Sequence, residues 1–202
     1  MKRVLAIVVV VGAIVSGLGS GSALAVTSIC DSIPGNLVKN CGFEKSDFTD
    51  WDTIAAASGS DFGVRNASGA FVHSGDYAAF FGATGTLDDI IKQTLPTTFG
   101  SQYTVTFFLH NANGGLTPNN DFKAFWNAIP LVALVNAPDF GYTEFTSTQL
   151  GTGSDVIKFA GRNANASYFL DDVSVAAVPE PATLFLLGSG LAGLAAWRRR
   201  QS

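Results

Sequence analysis

Between residues 26 and 178, apolar and polar side chains alternate in short runs interrupted by Gly, Asn, Asp and Pro. No 3.6-residue stripe is sustained, and a period of two is the mark of half-buried strands. The run Ser101–His110 shows the pattern best. Tyr103, Val105, Phe107 and Leu109 fall on one face, with Thr104, Thr106, Phe108 and His110 on the other. The same reading predicts strands over Asp76–Phe81, Asp89–Leu95, Asp121–Asn127, Leu131–Val135, Tyr142–Leu150, Asp155–Gly161 and Ser167–Val175. Turn chemistry separates them at Asn113-Gly114-Gly115, Ala137-Pro138-Asp139 and Gly151-Thr152-Gly153. So many short strands without an internal repeat predict an all-β domain, a two-sheet antiparallel jelly-roll sandwich.

The two ends break this pattern. Met1-Lys2-Arg3, an aliphatic run over Val4–Val15 and Ala23-Leu24-Ala25 have the charge, length and A-x-A cleavage pattern of a signal peptide over residues 1–25. An uncleaved anchor is the alternative. At the other end, Pro179-Glu180-Pro181 precedes an uncharged stretch over 182–197 and then Arg198-Arg199-Arg200. As a helix those sixteen residues span about 24 Å, just short of a bilayer core. The arginines would remain cytoplasmic, with Trp197 at the interface. The chain thus divides into a signal peptide, a sandwich domain over 26–178 and a C-terminal segment over 179–202.

Composition sharpens the picture. The 202-residue chain is 47% hydrophobic, and its mean hydropathy of +0.28 comes from the two ends. The region 26–178 holds 15 acidic and 7 basic side chains, a net charge of −8. Such a domain repels phosphates, so nucleic acid is excluded as a partner. Outside the cytoplasm thiols persist oxidised, which makes Cys30 and Cys41 readable as a disulfide. Two free thiols or half of a metal site are the alternatives.

The C-terminal order of Val-Pro-Glu-Pro, short apolar segment and basic cluster, from Val178 to Gln201, resembles the PEP-CTERM sorting domain of exported proteins in Gram-negative bacteria that make exopolysaccharide. The resemblance implies an exosortase as partner, acting at Pro179, Glu180 and Pro181. It implies transient insertion in the inner membrane through the C-terminal helix, then release to the cell surface or extracellular matrix. A plain tail anchor would explain the apolar stretch and Arg198, Arg199 and Arg200, but not the Pro-Glu-Pro.

A second resemblance rests on three segments: Asn36–Glu44 followed by Trp51, His73–Phe80, and Ser167–Val175. Their order is similar to the galactose-binding-like jelly roll of extracellular carbohydrate-binding modules. A set of PEP-CTERM proteins sharing the stretch Gly100–Gly141, with Trp126-Asn127 inside it, is closer still. Cys41 departs from the Gly or polar residue usual there, and Ala128 from the Gly that usually follows Trp-Asn. The resemblance implies a structural Ca²⁺ held by Glu44 and Asp171. Strict alternation places Asp171 with Phe169, Val173 and Val175, at or near the core, where a carboxylate needs a cation or donors. Asp172 then lies on the opposite face. The alternative is that Glu44 caps a turn and Asp171 accepts backbone N–H bonds.

Sugar recognition needs an aromatic platform and planar hydrogen-bonding groups. Trp51, Trp126, Tyr103, Tyr142 and Tyr168 are candidate platforms, with His110, Asn111 and Asn127 as polar partners. Burial in the core is the competing role for most of them, Trp51 and Trp126 above all. No ligand site is assigned from sequence. Neither His73 nor His110 lies in a catalytic frame, and the adjacent pairs Asp88-Asp89 and Asp171-Asp172 point to opposite faces of a strand. The expectation is an exported, non-catalytic surface or biofilm-matrix protein that contacts exopolysaccharide. A structural coat or adhesion protein without sugar binding is the alternative, and a polysaccharide hydrolase a third.

Overall fold

The computed structural model describes residues 27–66, 69–112 and 119–179. The expected signal peptide, Glu180, Pro181, the apolar stretch 182–197 and Arg198–Arg200 lie outside them. Among the described residues no helix is long and apolar enough to cross a membrane.

In these residues ten strands follow one another: β1 Asp52–Ile54, β2 Phe62–Asn66, β3 Tyr77–Phe81, β4 Asp89–Leu95, β5 Gln102–Ala112, β6 Asn120–Trp126, β7 Ile129–Val135, β8 Phe140–Leu150, β9 Asp155–Asn163 and β10 Ser167–Ala177. Short 3-10 turns occupy Ile29–Ser32 and Gly69–Phe71. The strands form two antiparallel five-stranded sheets, β1-β4-β9-β6-β7 and β2-β3-β10-β5-β8, consistent with a sandwich. β4 has its expected bounds, and the other expected strands differ by one or two residues at one or both ends. β1 and β2 were not expected. β1 is three exposed residues long, and β2 is only five residues long with no fully buried position.

The alternation of β5 puts Tyr103, Val105, Phe107 and Leu109 in the core. They meet the buried faces of β6 and β9, with the Phe107 and Phe159 rings 5.1 Å apart and Tyr103 6.5 Å from Trp126. Trp51 closes one side, stacked 5.6 Å from Phe43. Each such side chain contributes about 1.5–3 kcal/mol through removal from water.

β10 departs from the expected alternation. Its register against β5 shifts between Asp171 and Ser174, and Asp172 takes φ 48° at that bulge. Tyr168 and Leu170 therefore face the core before the bulge, and Val173 and Val175 after it. Phe169 and Asp171 point to the outer side of the sheet, contrary to the placement of Asp171 beside Val173 and Val175. Asp171 is still fully buried, because the segment 69–77 crosses over it.

Candidate functional site

Part of the outer side of the β2-β3-β10-β5-β8 sheet is aromatic, while threonines such as Thr106 and Thr146 occupy another part. Gly63, Phe80, Phe169 and His110 stand opposite one another across four strands. Gly63 fits there because a Cβ would come within 3.0 Å of the Phe80 ring. The segment 69–77 is strapped across this face. His110 Nδ1 bonds the Ala70 carbonyl at 2.7 Å, and the Tyr142 hydroxyl donates to the Phe71 carbonyl at 3.1 Å. His73 stacks on Phe108 with ring centres 3.7 Å apart.

Under the strap lies a knot of carboxylates. Asp171 Oδ2 accepts the backbone N–H groups of His73 (2.9 Å) and Ser74 (3.2 Å), and its Oδ1 accepts that of Asp172 (2.7 Å). Asp172 Oδ2 sits 2.7 Å from His73 Nδ1. The Ser74 hydroxyl donates to Asp172, lying 2.9 and 2.7 Å from its two oxygens, and Ser28 Oγ donates to Oδ1. Glu44 accepts from the N–H groups of Asp76 (3.1 Å) and Tyr77 (3.2 Å), farther along the strap. The two expected ligands thus hold different parts of one loop. Asp172, expected on the opposite face, is buried in the same knot through its bulge conformation. The Cys30–Cys41 disulfide (S–S 1.97 Å) fixes the turn that carries Ser28.

Burial is the main reason that the Asp171 carboxyl is pushed up to about 8, and the charge of Asp172 beside it adds to the rise. The three N–H donors offset only part of this. Glu44 is also raised, chiefly by burial and further by Asp76 and Asp172, against the bonds from Asp76 and Tyr77. The oxygens of Glu44, Asp171, Asp172, Ser28 and Ser74 are hard donors of the kind Ca²⁺ takes. Glycines make room for them: a Cβ on Gly75 would collide with Glu44 Oε1, and one on Gly42 with Ser28 Oγ. The residues fit calcium in kind. The tight group Cys30, Asp31 and Cys41 does not qualify, since its sulfurs are joined to each other.

The knot also has the residue types of a hydrolytic triad, but in the wrong order. Asp172 stands between His73 and the two serines, and no hydrogen bond joins His73 to either hydroxyl among the described residues. A nucleophilic serine needs the imidazole as its neighbour to take the proton.

Beside the strap is an open cleft of about 370 Å³, lined by Asp61, Arg65, Phe71, Ser167 and Phe169 among others. Phe71 is 41% exposed, and its ring centre lies 4.9 Å from that of Phe169. The Arg65 guanidinium sits 3.7 Å above the Phe80 ring. An aromatic wall beside a charged rim can take an apolar ring face and bond the hydroxyls around it.

The expected aromatic platforms mostly lie elsewhere. Trp51, Trp126, Tyr103 and Tyr168 are buried in the core. Asn111 is buried too, donating to the Ala137 and Pro138 carbonyls at 3.0 and 2.9 Å, and Asn127 donates to Asp155 at 2.6 Å. Only Tyr142 and His110 reach the aromatic face. Sequence reasoning missed Asp61, Arg65 and Phe71. The available signal was the short run Phe62–Asn66, in which Phe62 and Val64 alternate with Gly63 and Arg65.

β10 leads directly into the C-terminal segment. Residues 177–200 match the PEP-CTERM protein-sorting motif. This motif implies exosortase processing and export to the cell surface. No curated protein matches the chain by sequence. Among solved structures, the carbohydrate-binding module TmCBM61, determined with β-1,4-galactotriose, is similar with a TM-score of 0.54 at 19% identity, over 71% of this chain and 99% of that one. The enzymatically active domain of tailspike protein 4 from bacteriophage CBA120 gives 0.51 at 14% identity, over 71% of this chain but 21% of that one. A cleaved adhesin domain of Lys-gingipain from Porphyromonas gingivalis gives 0.50 at 17% identity, over 68% and 96% of the two chains. At these identities the likeness shows a shared β-sandwich fold.

Proposed function

We propose that this PEP-CTERM chain is an exported, non-catalytic carbohydrate-binding protein of the surface or biofilm matrix, with a galactose-binding-like jelly roll that associates with exopolysaccharide. The cleft beside the strap carries the reading. Phe71, exposed and backed by the buried Phe169 ring, supplies a platform, while Asp61, Arg65 and Ser167 supply the polar rim that fixes a sugar's orientation. The serine–aspartate–histidine order in the knot supports binding without catalysis. The same fold in a module determined with β-1,4-galactotriose makes that oligosaccharide a rational probe.

Calorimetric titration of the full chain with the host's exopolysaccharide, and with β-1,4-galactotriose, tests the reading. Saturable binding that weakens about tenfold or more in Phe71→Ala and Arg65→Ala supports it, a loss of about 1.4 kcal/mol or more. Both side chains are exposed, so the fold should tolerate their removal. Unchanged binding in both variants moves the site off this cleft. A flat trace with folded protein leaves a structural coat protein.

Calcium is part of the proposal. Glu44 and Asp171, with Asp172 beside them, would hold the ion, and its charge would offset the buried carboxylates. Its role would be to fix the strap that forms one wall of the cleft.

A further inference from the structure

The end of the sandwich from which the sorting motif departs differs from the rest of the surface. Loops 96–101, 127–128 and 151–154 meet there. Gly100 N–H donates to the Gly151 carbonyl at 2.9 Å, Gly151 N–H to that of Ser101 at 2.8 Å, and Trp126 Nε1 to that of Leu150 at 3.2 Å. Val178 N–H donates to the Gln102 carbonyl at 2.8 Å, which brings the departing chain to this same end. Asp155 is its only charged residue within 96–103, 126–131, 148–155 and 176–179, and Asp155 is wholly buried. The surrounding domain holds 15 acidic and 7 basic side chains. On this uncharged end Phe99 is 82% exposed, Leu150 57%, Ile129 56% and Val178 36%.

We infer that this end docks on the lipid surface while the C-terminal segment is inserted, with Phe99 entering the interfacial layer. The inference rests on the reading of 182–197 as a membrane helix. Only Glu180 and Pro181 separate Pro179 from Ala182, and the three residue steps between them keep the exit end within about 10 Å of the point of insertion even when fully extended. Acidic faces of the domain are repelled by anionic headgroups, whereas an uncharged end is not. Aromatic and aliphatic side chains gain by leaving water at that depth. Docking therefore selects one orientation of the domain and keeps Pro179-Glu180-Pro181 at the membrane surface.

The native cysteines are joined in a disulfide, so a single introduced thiol can carry an environment-sensitive fluorophore. The test uses the full chain in vesicles of phosphatidylethanolamine and phosphatidylglycerol, labelled in turn through Phe99→Cys, Leu87→Cys and Gly188→Cys. Leu87, 52% exposed and next to Asp88, lies at the opposite end, where β4 begins. The expected result is blue-shifted emission, quenched by nitroxide lipids, at positions 99 and 188, with an aqueous spectrum at 87. A lipid-like signal at 188 with an aqueous one at 99 overturns the docking and leaves the membrane helix standing. An aqueous signal at 188 overturns both. Adding Leu150→Glu and Ile129→Glu to the Phe99→Cys chain should reverse the blue shift at 99. Persistence of the shift would overturn the role of the patch.

Discussion

Asp155 and Asp171 are both fully buried at strand positions of one domain, yet their environments act in opposite directions. Burial pushes the Asp155 carboxyl up, but bonds from Thr97, Thr152 and Asn127 outweigh it and hold the group below the usual carboxylate range. Its donors come from three different loops, with Thr152 contributing both its N–H and its hydroxyl at 2.8 Å. Asp171 also accepts three good bonds, but burial and the neighbouring Asp172 carry it to about 8. Asp155 accepts four bonds, three of them from side chains, against three backbone bonds at Asp171. What separates the two sites is the balance: burial, joined by the charge of Asp172, outweighs the bonds at Asp171, whereas the bonds outweigh burial at Asp155. A lone buried carboxylate can serve as a staple between loops, whereas a buried pair needs a cation or a proton.

The largest expected effect comes from removing the staple. Asp155→Ala leaves three loops without their shared acceptor. It should cost about 3 kcal/mol or more in urea denaturation, since charge-assisted bonds contribute about 1.5–3 kcal/mol each. Asp171→Asn keeps an acceptor for the strap and carries no charge. In calcium-free protein near pH 7 it should cost less than about 1 kcal/mol, because a carboxyl raised to about 8 is already largely protonated there and the amide replaces a neutral group. Equal losses in the two variants would erase the contrast.

Next is the disulfide. Replacing Cys30 and Cys41 with serine should cost about 3 kcal/mol on the loop-closure estimate. The bond fixes the turn bearing Ser28, so amide exchange should accelerate at His73 and Ser74 more than at Thr152. Uniform acceleration would show that the turn does not support the knot in particular.

The contrast between these centres also marks how far the sequence can be read. β5 was legible because every second residue from Tyr103 to Leu109 is apolar, and burial enforces that period. The position of Asp171 was not, because a single bulge residue at Asp172 reverses faces without leaving a composition signal. The pairing of Cys30 with Cys41 followed from compartment alone. The cleft was illegible for a different reason. Arg65, Phe71 and Phe169 lie on β2, a 3-10 turn and β10; pairing through β3 brings Arg65 near Phe169, and the strap adds Phe71. Asn127 and Asn111 had the right chemistry for ligand contact, but their partners are buried backbone and Asp155. Sequence reveals the residue types, while the long-range pairing decides which of them are consumed by the fold.

Calcium should act on one centre and leave the other untouched. At a hundred times its dissociation constant the ion should stabilise the chain by about 2.7 kcal/mol, and a chelator should lower the melting temperature accordingly. Glu44→Ala with Asp171→Ala should abolish that response, while Asp155→Asn should retain it. A melt that ignores both calcium and chelator would remove the ion from the account.

The smallest effect is on the acid side. The folded-state value of Asp155 lies below its ordinary 3.8, so its contribution to stability is present above that pH and is lost as pH falls through the folded value. The unfolded chain binds the proton first, and mass action then pulls the domain open. Asp155→Asn cannot ionise, so its stability should decline less steeply between about pH 5 and pH 2, although it starts lower. Urea midpoints measured across that range for both proteins read the two slopes directly. Identical slopes would mean that the three donors do not favour the charged form, and Asp155 would then be an ordinary polar residue that happens to be buried.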